Sequence, residues 1–328
     1  MVSFNHLKLP ITILLIVTLV LAVNQQLIVD YRYHYRDNYL AAIVDKNELL
    51  AKTPSPKIII VGGSNAAFGF DSAAISKATQ MPVVNMGIQG SLGLRFTLND
   101  IKPYIHEGDI VLISPEYHNL VDDLQGGDVL AYALIFYPEG IKDITSLHDA
   151  FEVLKAFPNV HTSAIKTTLD LRIREHCDFI CKIDEDVYYR EAFNPLNGDI
   201  MTNPAMRSSD SEFHFAFPWS VPNRTLRQSV NFLNQFNKYV ETQNARMLFI
   251  YPSISNNFSD QVQTKLEITS QYLTENLDFP ILGTLDDSLF AKEYMFDTVF
   301  HLNDVGREIR TKTVIRDLCL VLESGCCQ

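Results

Sequence analysis

A serine, an acid and a histidine in a set order are the residues of this chain best suited to chemistry. Ser64 stands in Gly62-Gly63-Ser64-Asn65, directly after the apolar run Lys57-Ile-Ile-Ile-Val61. Asp297 and His301 lie four residues apart in Phe296-Asp297-Thr-Val-Phe-His301. A serine hydroxyl is a poor nucleophile until a base takes its proton and a third group orients that base. Ser64, His301 and Asp297 suit those three roles, with Asp304 and Glu293 as alternative orienters. Two further segments offer groups for the same site. Asn85-Met-Gly87-Ile-Gln-Gly90 has glycines that let the backbone close on a ligand. Ser114-Pro-Glu116-Tyr117 adds an acid, with which Arg95 can pair. Each residue also has a plain structural reading. Ser64 can cap a helix, His301 can be a core histidine, Asn85 can bond its own loop, and Glu116 can be a structural acid.

These groups need a scaffold that brings distant segments to one edge. Lys57–Val61 is apolar throughout and bounded by breakers, which predicts a strand buried on both faces of a parallel sheet. Helix Asp71–Thr79, strand Pro82–Met86, helix Gly90–Tyr104 and strand Asp109–Ile113 follow. The alternation predicts a doubly wound α/β layer, with Ser64, Asn85 and Glu116 at the carboxyl ends of its strands. It lapses over residues 117–223, which carry helical stretches at Val129–Phe136 and Ser146–Ala156. This region reads as an insertion lying over the sheet as a lid. Helix Leu226–Thr242, strand Arg246–Tyr251, helix Asp260–Glu275, strand Phe279–Leu282 and a last helix Asn303–Leu322 resume the pattern.

Composition narrows the partners. The 328 residues include 27 Lys+Arg against 39 Asp+Glu, a net charge of −12. An acidic chain lacks the basic face that nucleic acid requires. Hydrophobic residues make up 47% and charged residues 20%, values of a folded globular body. No GxxxxGK[ST] phosphate loop and no GxGxxG after the first strand occur, so no nucleotide cofactor is expected. His176-Cys177-x-x-x-Cys181 with Cys319 and Cys326-Cys327 matches no standard zinc spacing, so no metal is expected either.

Residues 9–29 carry no charge and are long enough to cross a bilayer. A cleaved signal peptide is the rival reading, but no small-x-small cleavage site follows, which favours an uncleaved single-pass anchor. Lys8 on one flank and Arg32 and Arg36 on the other leave the positive-inside count undecided. Residues 30–56 read as a helical stalk, with Tyr31, Tyr33, Tyr35 and Tyr39 suited to the headgroup level. The body then spans 57–328.

With Ser64 after the first strand and Asp297…His301 before the last helix, the chain resembles the SGNH (GDSL-like) hydrolase superfamily. Gly63-Ser64-Asn65 matches the first block of that family, Asn85-x-Gly87 with Gly90 the second, and Asp297…His301 the last. The resemblance covers about 57–116 and 245–322. It implies a three-layer flavodoxin-like sheet, Ser64 as nucleophile, His301 as general base and Asp297 as its orienter. The oxyanion hole would use backbone N–H groups of Ser64 and of Gly87 or Gly90. Two differences stand out: Glu116 replaces the asparagine of the third block, and the acid–histidine spacing is four rather than three. In layout the chain is similar to anchored, extracytoplasmic members that O-acylate cell-surface polysaccharides beside a multi-span membrane acyltransferase. The expected function is therefore O-acyl transfer or ester hydrolysis on a cell-surface carbohydrate. The alternative is a non-catalytic relative that binds polysaccharide or assists an export complex.

Overall fold

The structure is a computed structural model that describes residues 5–122, 124, 126–173, 187–201 and 215–322. Its strands are β1 (Ile58–Gly62), β2 (Val83–Asn85), β3 (Ile110–Ser114), β4 (Arg246–Ile250), β5 (Ile254–Ser255), β6 (Ile281–Leu282) and β7 (Leu289–Phe290). Five of them form one parallel sheet in the order β2-β1-β3-β4-β6, while β5 and β7 make a small parallel pair. The order reverses between β1 and β3, the place where doubly wound sheets open a crevice at their carboxyl ends. Every residue of β1 and β3 is buried, as apolar runs without alternation require.

Helices cover both faces. The chain order is α1 (Asn5–His34), α2 (Ala42–Lys52), α3 (Ser64–Gly69), α4 (Ser72–Thr79), α5 (Leu94–Ile101), α6 (Tyr117–Val121), α7 (Gly127–Phe136), α8 (Leu147–Ile173), α9 (Arg224–Thr242), α10 (Asp260–Asn276) and α11 (Asp304–Leu322). Leu98, Val230, Leu233 and Leu266 of α5, α9 and α10 pack against Ile59, Val111 and Phe249 on one face. Ile75, Val314 and Leu318 of α4 and α11 meet Ile58, Ile60 and Leu112 on the other. This split follows from the strand period of two, which sends successive side chains to opposite layers. α9 shows the matching helical period: Leu226, Val230, Leu233 and Val240 are buried, and Asn223 caps its start by accepting the Leu226 N–H.

The start of the chain differs from the expected stalk. One apolar helix runs unbroken through Asn5–His34, and the chain then turns through Tyr39–Ala41 into α2. Leu27, Ile28 and Tyr31 of α1 and Leu40, Ala42, Ile43 and Leu50 beyond it are buried in the body. Residues 30–56 are thus part of the fold rather than a spacer, because Tyr31, Leu40, Ala42 and Ile43 find partners on α7 and α8 and Leu50 joins the sheet core. Tyr31 donates to or accepts from the Tyr132 hydroxyl at 2.8 Å, and Tyr39 donates to the Ile88 carbonyl at 2.8 Å. Both are packed inside instead of facing headgroups. Tyr33 remains exposed.

The insertion builds a second core. Leu130, Ala131, Leu134, Val153 and Ala156 pack with Ala67, Phe68 and Ile88 from the β1 and β2 ends and with Val187 and Phe193. α8 is much longer than the Ser146–Ala156 stretch expected. The insertion therefore lies against the carboxyl rim of the sheet, over the segment that holds Ser64. Of the expected cysteine and histidine group, His176, Cys177, Cys181, Cys326 and Cys327 lie outside the described residues, and among those described no cluster suited to a metal occurs.

Candidate active site

β1 ends at Gly62, and α3 begins one residue later with Ser64. The backbone must turn sharply between neighbouring strands, and only a residue without a side chain fits. A Cβ on Gly63 would lie 2.7 Å from the Gly90 nitrogen, and one on Gly62 would meet the Ser114 carbonyl at 2.5 Å. Ser64 thus sits at the first turn of α3, with its N–H unpartnered by the helix.

The C-terminal segment closes on it across the rim. The Ser64 hydroxyl donates to His301 Nε2 at 2.8 Å, and His301 Nδ1–H donates to Asp297 Oδ1 at 2.7 Å. Ser64 and His301 are buried, while Asp297 is half-buried. The imidazole stacks face to face on Phe68, with centroids 4.2 Å apart and planes 7° from parallel. Phe68 lies four residues after Ser64, so one helical turn places the serine and the platform of His301 on the same face. Asp304, one of the alternative orienters, pairs with Arg307 at 2.6 Å.

Tyr188 meets this pair from a third segment. Its hydroxyl donates to Asp297 Oδ2, and its oxygen lies 3.1 Å from His301 Nδ1. The residue comes from the insertion and fixes the carboxylate so that Oδ1 faces the imidazole. Burial pushes the Asp297 carboxyl up, but hydrogen bonds from His301 and Tyr188 and the attraction of His301 outweigh it, and the carboxyl stays below its ordinary value. Burial pushes the Tyr188 hydroxyl up, and its bond to Asp297 adds to this, so it remains a neutral donor. No motif carries Tyr188; a lone tyrosine in an irregular segment gives no spacing signal.

The second block divides into two roles. Asn85 Oδ1 accepts the Gly87 N–H at 2.9 Å, and its amide donates to the Ala66 carbonyl and to Asp199, both at 2.9 Å. Asn85 is fully buried and spends its amide on these bonds, so it braces the loop. Gly87 spends its N–H on that bond. The Gly90 N–H, with no acceptor among the described residues, is the one left near Ser64. Asn119 holds that turn by donating to the Gly90 carbonyl at 2.8 Å.

Glu116 follows β3 and enters the same cradle. One carboxylate oxygen stands 3.2 Å from both the Ser64 hydroxyl and the Asn65 N–H, and the other lies 3.4 Å from His118 Nδ1. A Cβ on Gly90 would meet the second oxygen at 2.8 Å, so the acid fills the space between the two loops. Arg95 does not reach it: the guanidinium pairs with Asp149 at 3.1 Å and lies over Phe232. The negative character of the site is felt at Tyr39, whose hydroxyl is pushed up by burial and then by the charges of Glu116 and Asp297. Beneath the rim, Arg310 of α11 donates to the Ser114 hydroxyl at 2.8 Å, to the Tyr251 carbonyl and the Ser253 hydroxyl at 3.0 Å, and to Asn65 O. Burial lowers it to about 9.

A buried lysine supports the β2 end. Lys46 Nζ donates to the Asn85 carbonyl at 2.7 Å and to the Gly198 carbonyl at 2.5 Å. Burial brings it down to about 7, with the Asp199 charge opposing the fall. Between pH about 7 and about 10.5 the unfolded chain holds a proton that the folded chain releases, so folding gains stability as pH rises. Denaturant midpoints should therefore show the wild type improving relative to Lys46→Met across that window, with a slope of up to about 1.4 kcal/mol per pH unit. A constant difference between the two proteins would refute the assignment.

The geometry comprises a hydrogen-bond chain from Ser64 through His301 to Asp297, with the Glu116 carboxylate beside Ser64. No family model, curated protein or solved structure matches the chain.

Proposed function

We propose that the protein performs serine-dependent acyl-ester chemistry on a cell-surface carbohydrate, by O-acyl transfer or ester hydrolysis. The observation that carries this reading is the continuous relay from the Ser64 hydroxyl through His301 to Asp297, at 2.8 and 2.7 Å. In it, Ser64 Oγ attacks the ester carbonyl as His301 Nε2 takes the hydroxyl proton, and Asp297 stabilises the imidazolium. The carbonyl oxygen, now negative, faces the Ser64 and Gly90 N–H groups. Collapse breaks the ester bond, and the leaving oxygen takes the proton from His301. A hydroxyl that His301 deprotonates then attacks the acyl carbon, the Ser64 Oγ–acyl bond breaks, and the proton returns from His301 to Ser64 Oγ. Water as acceptor gives hydrolysis, and a sugar hydroxyl gives transfer.

The carbohydrate acceptor, the extracytoplasmic body and a multi-span acyltransferase as donor follow from the SGNH resemblance and from reading α1 as an uncleaved anchor. The exposed apolar residues Ile11–Val23 support the anchor. A disulfide at Cys319 suits an oxidising compartment. Glu116 supports the second reading, a non-catalytic module that binds polysaccharide or assists an export complex, because a carboxylate beside Ser64 opposes an oxyanion.

A fluorophosphonate probe separates the two. Intact-mass analysis of the detergent-solubilised full chain should show one adduct per protein, lost in Ser64→Ala. A folded wild type that takes up no adduct would favour the binding module.

A further inference from the structure

On α8 a stripe of apolar side chains is exposed among the described residues. Leu147, Phe151 and Leu154 are 92%, 61% and 69% exposed, and Phe157 and Pro158 continue the surface. Leu147, Phe151, Leu154 and Pro158 recur at three- and four-residue spacing and so share one face. The face across the helix carries Val153 and Ala156 into the second core. Isolated exposed apolar residues are unremarkable in a folded protein, but a contiguous strip of this length marks an interaction surface.

The same stripe, followed toward the C-terminus, is covered by α1. His161 hydrogen-bonds Asn24 at 3.1 Å, the Thr168 hydroxyl donates to the Leu27 carbonyl at 3.3 Å, and Ala164 and Ile165 pack with Ile28 and Tyr31. From His161 to Thr168 on α8, the partner on α1 moves only from Asn24 to Leu27. The contacts rise together along both helices, so their lower-numbered ends lie on the same side. Leu147–His161 covers about 20 Å and runs outward from Asn24 on the side where α1 becomes wholly apolar and exposed. One flank of the stripe presents His148 and Lys155, the latter paired with Glu152 at 3.6 Å.

We propose that the N-terminal half of α8 docks into the bilayer interface, with Leu147, Phe151, Leu154 and Phe157 among the acyl chains. This rests on the reading of α1 as a membrane anchor, and continuity with α1 selects lipid over a protein partner. α1 and α8 would then form a two-point attachment that sets the orientation of the body. The catalytic relay would lie near the membrane surface, since Tyr39, shortly after the end of α1, packs on Tyr188 with centroids 5.5 Å apart.

Tryptophan quenching by brominated lipid tests this in the full chain. Trp219→Phe provides a silent background for Phe151→Trp, Leu21→Trp or Leu320→Trp, each reconstituted without any partner into phosphatidylcholine–phosphatidylglycerol nanodiscs with or without mid-chain bromine. We expect emission at positions 151 and 21 to fall about twofold or more, and emission at position 320 to stay constant. Quenching at 21 but not at 151 would overturn the docking and leave the face for a protein partner. No quenching at 21 would overturn the anchor reading, and the docking with it.

Discussion

His301→Gln is expected to lower turnover of a chromogenic acetyl ester by about ten-thousand-fold, with a change in Tm of only a few degrees. Glutamine roughly conserves volume on Phe68 and removes the imidazole that sits 2.8 Å from the Ser64 hydroxyl, leaving only the more distant Glu116 oxygen at 3.2 Å beside it, so chemistry fails while packing survives. Asp297→Asn should cost nearly as much, about a thousandfold or more, because an amide at that position can present an N–H to His301 and reverse the tautomer. Tyr188→Phe should fall between these variants and the wild type. It leaves the relay intact but frees Asp297 Oδ2, so the loss is one of alignment, about tenfold. The order His301→Gln, Asp297→Asn, Tyr188→Phe, measured as kcat/KM beside Tm, is the signature of a relay. Equal losses that track falling Tm would instead mean that all three act only through the fold.

The largest stability effect should come from the opposite end of the sheet. Lys57 and Asp109 form an ion pair at 2.9 Å with both side chains buried. Asp109 also accepts the Lys57 and His106 backbone N–H groups, each at 2.9 Å, and so ties the entry of β1 to that of β3. Asp109→Ala removes the carboxylate but leaves a buried ammonium with only the Ser55 hydroxyl at 2.8 Å. An uncompensated charge of this kind costs about 3–5 kcal/mol, a large share of the 5–15 kcal/mol that holds a typical domain together. Chemical denaturation should show this loss, and the double variant Lys57→Met/Asp109→Leu should recover most of it. A loss below about 1 kcal/mol for Asp109→Ala would mean that the ammonium finds water without opening the sheet.

Much of the fold is written in local periodicity. The unbroken apolar run before Ser64, the three- and four-residue spacing in α9 and the long apolar segment at the N-terminus each dictate their element, because the signal lies within one helix or strand. For the same reason the carboxyl-end positions of Ser64, Asn85 and Glu116 are legible from the strands that precede them. Nothing local states that residues 30–56 pack into the body, since apolar residues on α1 and α2 require partners that the insertion and the sheet core provide from distant segments. Nor does any spacing reveal Tyr188, Lys46 or Arg310.

By itself, then, the amino-acid sequence determined a parallel α/β layer, an apolar N-terminal helix, and a serine, an acid and a histidine in an order that permits a relay. Only the tertiary structure decided that His301 reaches Ser64 from a distant segment, that Gly90 rather than Gly87 keeps a free N–H, and that Glu116 shares the cradle. Those outcomes depend on which strands become neighbours and how closely their end loops approach. They are set by long-range packing, for which the chemical types of adjacent residues carry no code.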